Sequence, residues 1–408
     1  MSEGSRAGAV YLASTIPVYD PEQRAIDGIR PTFAEIDLSA IADNYRAVRA
    51  HTQTEVWPVI KADAYGHGAE AVAKVLCASG AKGLCVALVE EALSLRAAGI
   101  SADLLVMSGI YREGLDEALD AGITPVVHDP SHLALLATRS ARGQRSEIHL
   151  KVDTGMSRLG ITLGQLAAIS QRLAQMPGVS VRGLMTHLAN ADCDDPSFTD
   201  VQLDRFDQAR EIVVRDGHAP SVFHAANSAG AFRSHRARMD LVRPGIVLYG
   251  VAPFANDGPP LRPAMSIKSA VLALREVPSG TAVGYGGAFV TTQPSVLATI
   301  PIGYADGFFR RLSSEAEVLI RGARAKVVGN VSMDLCTVDV THLAQGRGIV
   351  VGDEVVLLGA QSGDLGAGLI RAEEIAQRVE TIPYEVLCAL SRRVRRLYRP
   401  GLTKAPAR

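Results

Sequence analysis

From about residue 56 to residue 247 the chain alternates between two textures. A short β-branched or apolar run ends on Gly, Asp, Ser or Pro and gives way to a stretch of helical period. The runs read VWPVIK (56–61), GLCVAL (83–88), DLLVMS (103–108), TPVVH (124–128), EIHLKVD (147–153), VRGLMTH (181–187), SVFHAAN (221–227) and DLVRPG (240–245). Amphipathic stretches such as VEEALSLRAAG (89–99) and QLAAISQRLAQM (165–176) lie between them. Continuous apolar strands alternating with helices imply a parallel sheet buried on both faces. Eight such units, each of roughly 20–35 residues, predict an α/β barrel of the TIM-type (β/α)8 kind rather than an open doubly wound sheet.

After about residue 262 the helical period nearly vanishes. SIKSAVLALREV (266–277), SVLATIPI (295–302), EVLIRGARAKVVG (317–329), LCTVDV (335–340) and IVVGDEVVLLG (349–359) are separated by Gly and Pro turns, with one late helix around 373–379. This pattern predicts a second, mostly antiparallel β domain. The expected layout is a polar tail or strap over 1–30, the barrel over 31–262, the β domain over 263–395 and a tail over 396–408. The first strand, 32–38, is free to pack with the β domain.

Composition narrows the function classes. Hydrophobic residues make up 47% of the chain and charged residues 21%, a globular balance that excludes disorder for the bulk. Forty-two basic residues against 43 acidic ones, with no basic block, argue against a nucleic-acid partner, because phosphate binding leaves a basic footprint. No apolar run approaches the ~18–20 residues of a membrane helix. The opening MSEGSRAGAV lacks the basic and apolar segments of a signal peptide, so a cytoplasmic location is expected. Five cysteines without a C-x-x-C pair read as reduced thiols, not as a disulfide framework. The histidines form no H-E-x-x-H motif, and no metal is expected.

Barrel enzymes carry their chemistry at the C-terminal ends of the strands. Here those ends present Lys61, Lys151 with Asp153, His187, His224 with Asn227, and Arg243. Lys61 follows the apolar run VWPVI, where desolvation favours the neutral, nucleophilic amine that condenses with carbonyl partners such as pyridoxal 5′-phosphate (PLP). The plainer reading is a strand-end lysine that reaches water. Loops after strands 7 and 8 often bind phosphate, and here NSAG (227–230) and RPGIVLYG (243–250) offer the Ser228 hydroxyl and the Gly245 and Ile246 amides. A strand-1 lysine together with such a cup points to PLP. Arg158, beyond a Gly turn in KVDTGMSRLG, suits a carboxylate or phenolate, although a surface arginine would look the same. Tyr65, Tyr285 and Tyr304 are each flanked by Gly or small residues, which predicts exposed rather than packed rings.

At these residues the sequence resembles the alanine racemases, fold-type III PLP enzymes, over nearly the whole length from about 32 to 395. The matching segments are VIKADAYGHG, KVDTGMSRLG, THLA, HAANSAG, RPGIVLYG, VGYGG, IPIGYADGF, SMD and TIPYEV, in that order. The resemblance implies that Lys61 binds PLP covalently and is one catalytic base. It implies that Tyr285 is the other and reaches the site from a partner subunit, hence a homodimer with shared sites. Arg243 is then the partner of the pyridine nitrogen, supported by His224. Arg158 contacts the phenolic oxygen and the substrate carboxylate, and Lys151 is the lysine that family members carry as a carbamate. Tyr65, Ser228, Gly245, Ile246 and Tyr384 match phosphate contacts, with Asn227 beside them and His187 against the ring. Met333, a substrate contact, and Asp334 line the site from the partner, and Tyr304 narrows its entrance. The implied activity is interconversion of L- and D-alanine, supplying D-alanine for peptidoglycan.

Two departures stand out. Ser332 occupies a position where many members have cysteine, and Phe308-Phe309-Arg310 replaces the usual Tyr-Pro-Arg after YADG. Two other readings compete. A broad-specificity amino-acid racemase would use the same scaffold, since pocket width depends on a few loop side chains. A non-catalytic PLP-binding protein would keep the barrel and its lysine but lack the β domain and Tyr285.

Overall fold

The computed structural model describes residues 29–108, 111, 114–254, 259–343 and 348–399. Residues 1–28 of the expected N-terminal tail, and 400–408 of the expected C-terminal tail, lie outside the described residues. The chain forms two units, one comprising Ile41–Ala64 and Ala69–Arg262, the other the residues up to Ala40, Tyr65–Gly68 and those from Pro263 on.

The chain enters through strand β1 (Phe33–Asp37) and helix α1 (Leu38–Thr52). The first of the two units is then built on β2 (Glu55–Val56), β3 (Gly83–Val86), β4 (Asp103–Val106), β5 (Ile123–Val127), β6 (Ser146–Asp153), the short β7 (Ile161–Thr162), β8 (Val179–Met185), β9 (Val222–His224) and β10 (Leu241–Val242). β3, β4, β5, β6, β8 and β9 pair in that order, all parallel, and β10 pairs parallel with β2. The ring closes by backbone bonds at both remaining seams. Ile60 donates to the Cys85 carbonyl at 2.9 Å and Cys85 to the Pro58 carbonyl at 2.8 Å, while Asp240 donates to the Phe223 carbonyl at 3.1 Å. Leaving aside β7, this is a closed barrel of eight parallel strands.

Helices α2 (Ala69–Ala78), α3 (Val89–Ala97), α4 (Leu115–Asp120), α5 (His132–Ala141), α6 (Leu163–Ala174), α7 (Ser197–Arg215), α8 (Ser228–Arg233) and α9 (His235–Arg238) connect the strands. β6 shows how the site is positioned. Successive side chains of a strand point to opposite faces. Ile148, Leu150 and Val152 pack with Leu133 and Leu136 of α5, Leu166, Ile169 and Leu173 of α6, and Phe206 and Val213 of α7. The alternate positions, His149, Lys151 and Asp153, therefore face the other side of the sheet. β3 and β5 are buried at every position for the same reason, and β3, GLCV, reads as an unbroken apolar run.

The second unit pairs β1 antiparallel with β11 (Met265–Ala270). It continues through β12 (Ala273–Val277), the hairpin β13 (Ala282–Val283) and β14 (Phe289–Val290), β15 (Ser295–Ile300), β16 (Glu317–Ile320), β17 (Ala323–Val327), β18 (Cys336–Asp339), β19 (Glu354–Gly363) and β20 (Gly366–Ile370). Helices α10 (Ala372–Val379) and α11 (Pro383–Cys388) follow, then β21 (Arg395–Arg399). The main sheet runs β12-β15-β18-β17-β16-β19-β11-β1-β21, with only the β1–β21 pair parallel.

Three details differ from the sequence expectation. Residues 396–399, read as the start of a tail, continue β21 and pair with β1. The run at 349–359 breaks at Gly352 (φ 93°), so Val350 and Val351 stay exposed and the strand starts at Glu354. Helix α11 was not anticipated, because six residues opened by a proline carry too little period to read. No helix among the described residues is long and apolar enough to cross a membrane.

Candidate active site

Inside the barrel unit, Arg243 follows β10 and is 2% exposed. It donates to His224 Nδ1 at 2.5 Å and to the Thr186 and Ala225 carbonyls at 2.8 and 3.2 Å. Burial pulls its pKa down to about 10, which still leaves it cationic at neutral pH. A guanidinium only donates, so His224 must accept at Nδ1 and carry its proton on Nε2, which faces His149 Nδ1 at 2.9 Å. Burial, and then the charge of Arg243, keep His224 neutral, well below the usual histidine range. His149 is pushed down to about 3 by burial and by Arg182 and Arg243. Gly183 makes room for it, since a Cβ there would stand 2.6 Å from the His149 ring. Sequence reasoning named Arg243 and His224 but missed His149. Its only signal was its place two residues before Lys151 on the same face of β6.

Lys151 and His187 sense the same group of charges. Burial, then Arg243, Arg158 and Lys61, against the single opposing charge of Asp153, lower Lys151 to about 8. His187 is held well below its usual range by burial and then by Arg243, Lys151, Arg158 and Lys61. Asp153 is engaged with its own loop, where its Oδ1 accepts the N–H groups of Gly155, Met156 and Ser157 at 2.9, 2.9 and 3.1 Å. That clasp shapes the loop that carries Arg158. The structure thus brings Lys61, Arg158 and Arg243 within electrostatic reach of both Lys151 and His187.

At the expected phosphate cup, Gly245 N–H donates to Ser228 Oγ at 2.8 Å, leaving the serine hydroxyl proton for another acceptor. Asn227 caps α8, accepting from Gly230 N–H at 2.9 Å and donating to the Leu188 carbonyl at 3.3 Å. Ile246 opens a short 3-10 turn, Ile246–Tyr249. Lys61 does not simply end a strand. Ala62, Asp63 and Ala64 after it take left-handed values near φ 53°, and Tyr65 follows at φ 54°.

The remaining candidates belong to the other unit. Tyr65 corrects the expectation of exposed rings: it is 6% exposed, its ring centroid 6.0 Å from that of Tyr384. The glycines around it serve close backbone packing instead, for a Cβ on Gly66 would lie 2.5 Å from the Leu387 carbonyl oxygen. Tyr285 and Tyr304 are exposed as predicted, at 76% and 41%, together with Met333. Asn330 Nδ2 donates to the Tyr285 carbonyl at 2.8 Å, and Tyr304 and Ala305 donate to the Ser332 and Met333 carbonyls at 3.0 Å. The tyrosine turns and the SMD loop are therefore knitted together. Asp334 pairs with Arg393, which also reaches the fully buried Asp306 at 2.8 Å. Asp306 is clasped by both terminal guanidinium nitrogens of Arg30, so the last residue of the expected tail is anchored. Burial pushes the Asp306 carboxyl up, but Arg30, the Gly303 N–H and Arg393 outweigh it and hold it below the usual range.

A profile for the alanine racemase N-terminal domain matches residues 36–253, and one for the alanine racemase C-terminal domain matches 264–398. The chain belongs to the alanine racemase family. The alanine racemase of Sorangium cellulosum is 46% identical over 380 residues, covering 91% of this chain and 100% of the relative. Alanine racemase 2 of Caldanaerobacter subterraneus is 40% identical over 378 residues, covering 91% and 96%. Among solved structures, the alanine racemase from Bacillus anthracis with bound L-Ala-P superposes with a TM-score of 0.85 at 32% identity, covering 92% of this chain and 96% of that one. The alanine racemase from Bartonella henselae with covalently bound pyridoxal phosphate gives 0.81 at 33%, covering 90% and 99%. The fold is thus the alanine racemase barrel plus β domain, and the protein is a PLP-dependent racemase.

The residues present fit that cofactor. Arg243 Nε is buried with no hydrogen-bond partner, an expensive state for a donor unless an acceptor such as a ring nitrogen meets it. The cations whose charges reach His187, Arg243, Lys151, Arg158 and Lys61, suit a phosphate ester and a phenolate.

Proposed function

We propose that the enzyme interconverts L- and D-alanine by two-base proton transfer at Cα, in a homodimer whose two sites are shared. The observation that carries this reading is the barrel-unit cluster in which the charges of Lys61, Arg158 and Arg243 all bear on both Lys151 and His187. PLP, when bound, supplies the electron sink that acidifies the substrate Cα–H. Lys61 holds the cofactor and moves a proton on one face, and Tyr285 of the partner subunit does so on the other, since racemisation needs an acid–base group on each face. Arg243 would hold the pyridine nitrogen by a donor that keeps its proton at neutral pH, so the ring stays a weak sink and side reactions such as transamination are suppressed.

Ser228, Gly245, Ile246, Tyr65 and Tyr384 would hold the phosphate, beside Asn227. Arg158 would orient the substrate carboxylate, with Met333 also touching the substrate, and Asp334 and Tyr304 bordering the site. His187 packs by the ring, and His224 supports Arg243. Lys151, whose lowered pKa leaves part of the amine neutral, suits uptake of CO2 as a carbamate beside Arg158. Exposure of Tyr285 at 76% and Met333 at 53% supports a second copy of the chain covering them. We place the enzyme in the cytoplasm, where its product D-alanine feeds peptidoglycan.

The test is incubation of the PLP-loaded protein with L-alanine in D2O. Loss of optical rotation with deuterium appearing at Cα is the expected result. Exchange without loss of rotation would mean that only one base works, and absence of both would overturn the alanine reading.

A further inference from the structure

Lys61 opens a turn that L-residues do not adopt unaided. Ala62, Asp63, Ala64 and Tyr65 all have φ between 52° and 54°. In L-residues that left-handed form brings Cβ close to the following carbonyl oxygen and is disfavoured against the right-handed one. Such backbone persists only where its surroundings over-determine it. Two carboxylates do so here. Asp63 Oδ1 accepts from Ala69 N–H at 2.7 Å, clasping the far end of the turn. Glu91, in the first turn of α3, reaches the near end, where its Oε1 accepts from Ala62 N–H at 2.6 Å. Its Oε2 accepts from Ala87 and Leu88 N–H at 2.8 and 3.1 Å. One ionised side chain thus ties the residue next to Lys61 to the loop leaving β3, through charge-assisted bonds that are stronger than neutral ones.

We propose that Glu91 is a positioning residue for Lys61, its carboxylate holding the left-handed turn that aims the lysine amine. This rests on the assignment of Lys61 to PLP made above. Capping of α3 accounts for the Leu88 bond. It does not account for the bond to Ala62, which lies 29 residues away in sequence.

The experiment compares the full chain with E91A, E91Q, E90A and the double variant A62G/E91A. Two readings are taken besides turnover: amide exchange over 61–68 in the cofactor-free protein, and the pH titration of the visible band formed on adding PLP. E91A is expected to speed exchange over 61–68, to shift the titration and to lower kcat, each by about tenfold or its equivalent of ~1.4 kcal/mol, with KM changed far less. E91Q, with one acceptor oxygen for three N–H groups, should fall between E91A and the parent. E90A removes a charge from the same helix turn and should change none of these readings. A62G/E91A should recover most of the loss, because glycine takes positive φ without the side-chain penalty.

Parent-like exchange and titration in E91A would overturn the proposal. So would failure of A62G to rescue. If E91A does not fold, parent-like values in E91Q overturn it. K61A separates the two levels: persistence of the visible band in K61A would overturn the assignment of Lys61, whereas loss of the band with an unaffected E91A overturns the role of Glu91 alone.

Discussion

Arg243 and Lys151 show how burial sets chemistry one side chain at a time. Both are cations removed from water, yet Arg243 places its terminal nitrogens on His224, Thr186 and Ala225, whereas Lys151 meets the charges of Arg243, Arg158 and Lys61 with only Asp153 opposing them. The consequence for Lys151 can be signed. Its folded pKa of about 8 lies below the ordinary 10.5, so between those values the unfolded chain binds more protons and stability rises with pH. The cost of the buried charge is fully present below about 8 and gone above 10.5. Lys151→Met should therefore stabilise the cofactor-free, CO2-free protein near neutral pH, with a gain that shrinks across this window. Denaturant titrations of parent and variant at several pH values check it, and a pH-independent difference would contradict the assignment. Arg243→Ala should cost more than an ordinary surface change. It strands His224 Nδ1 and two buried carbonyls, each worth about 1–3 kcal/mol when left unmade. The melting temperature should fall together with PLP affinity.

Among the elements, β6 was the most legible. The alternation in EIHLKVD already separates Ile148, Leu150 and Val152 from His149, Lys151 and Asp153, and the structure packs the first set against helices. The turn after Ile60 was illegible, because only Asp63 in KADAY tolerates left-handed backbone and part of its support comes from Glu91 on another element. Tyr65 was misread for a related reason. Its glycine neighbours looked like a means of exposing the ring, when they serve close approach of backbone to Leu387. Gly303 belongs to the same class. A Cβ there would lie 2.3 Å from the Ser332 carbonyl oxygen and 2.4 Å from that of Met333. Gly303→Ala should destabilise by about 1–3 kcal/mol, the usual range for overpacking. Because it shifts the Tyr304 and Met333 turns, it should raise KM for alanine more than it lowers PLP binding, as steady-state kinetics and cofactor titration would show.

For the whole molecule, the residues of the proposed site divide cleanly, Lys61 and the other cations on the barrel unit and Tyr285, Tyr304 and Met333 on the β unit. If two copies share their sites, Lys61→Ala and Tyr285→Ala are each inactive alone but complement when mixed. A hybrid dimer has one site with both residues intact, so reassociated mixtures should regain about a quarter of parent activity under random pairing of subunits. A mixture as inactive as its components would show that both residues act within one chain. The sequence by itself determined the barrel and the β domain, because strand and helix periods are local properties, and it named the strand-end polar residues of the proposed site. Only the tertiary structure decided that Tyr65 is buried, that residues 396–399 form a strand, that Arg30 clasps Asp306, and that Glu91 holds the turn at Lys61. Each of these depends on partners brought together from distant parts of the chain, and neither period nor composition carries that information.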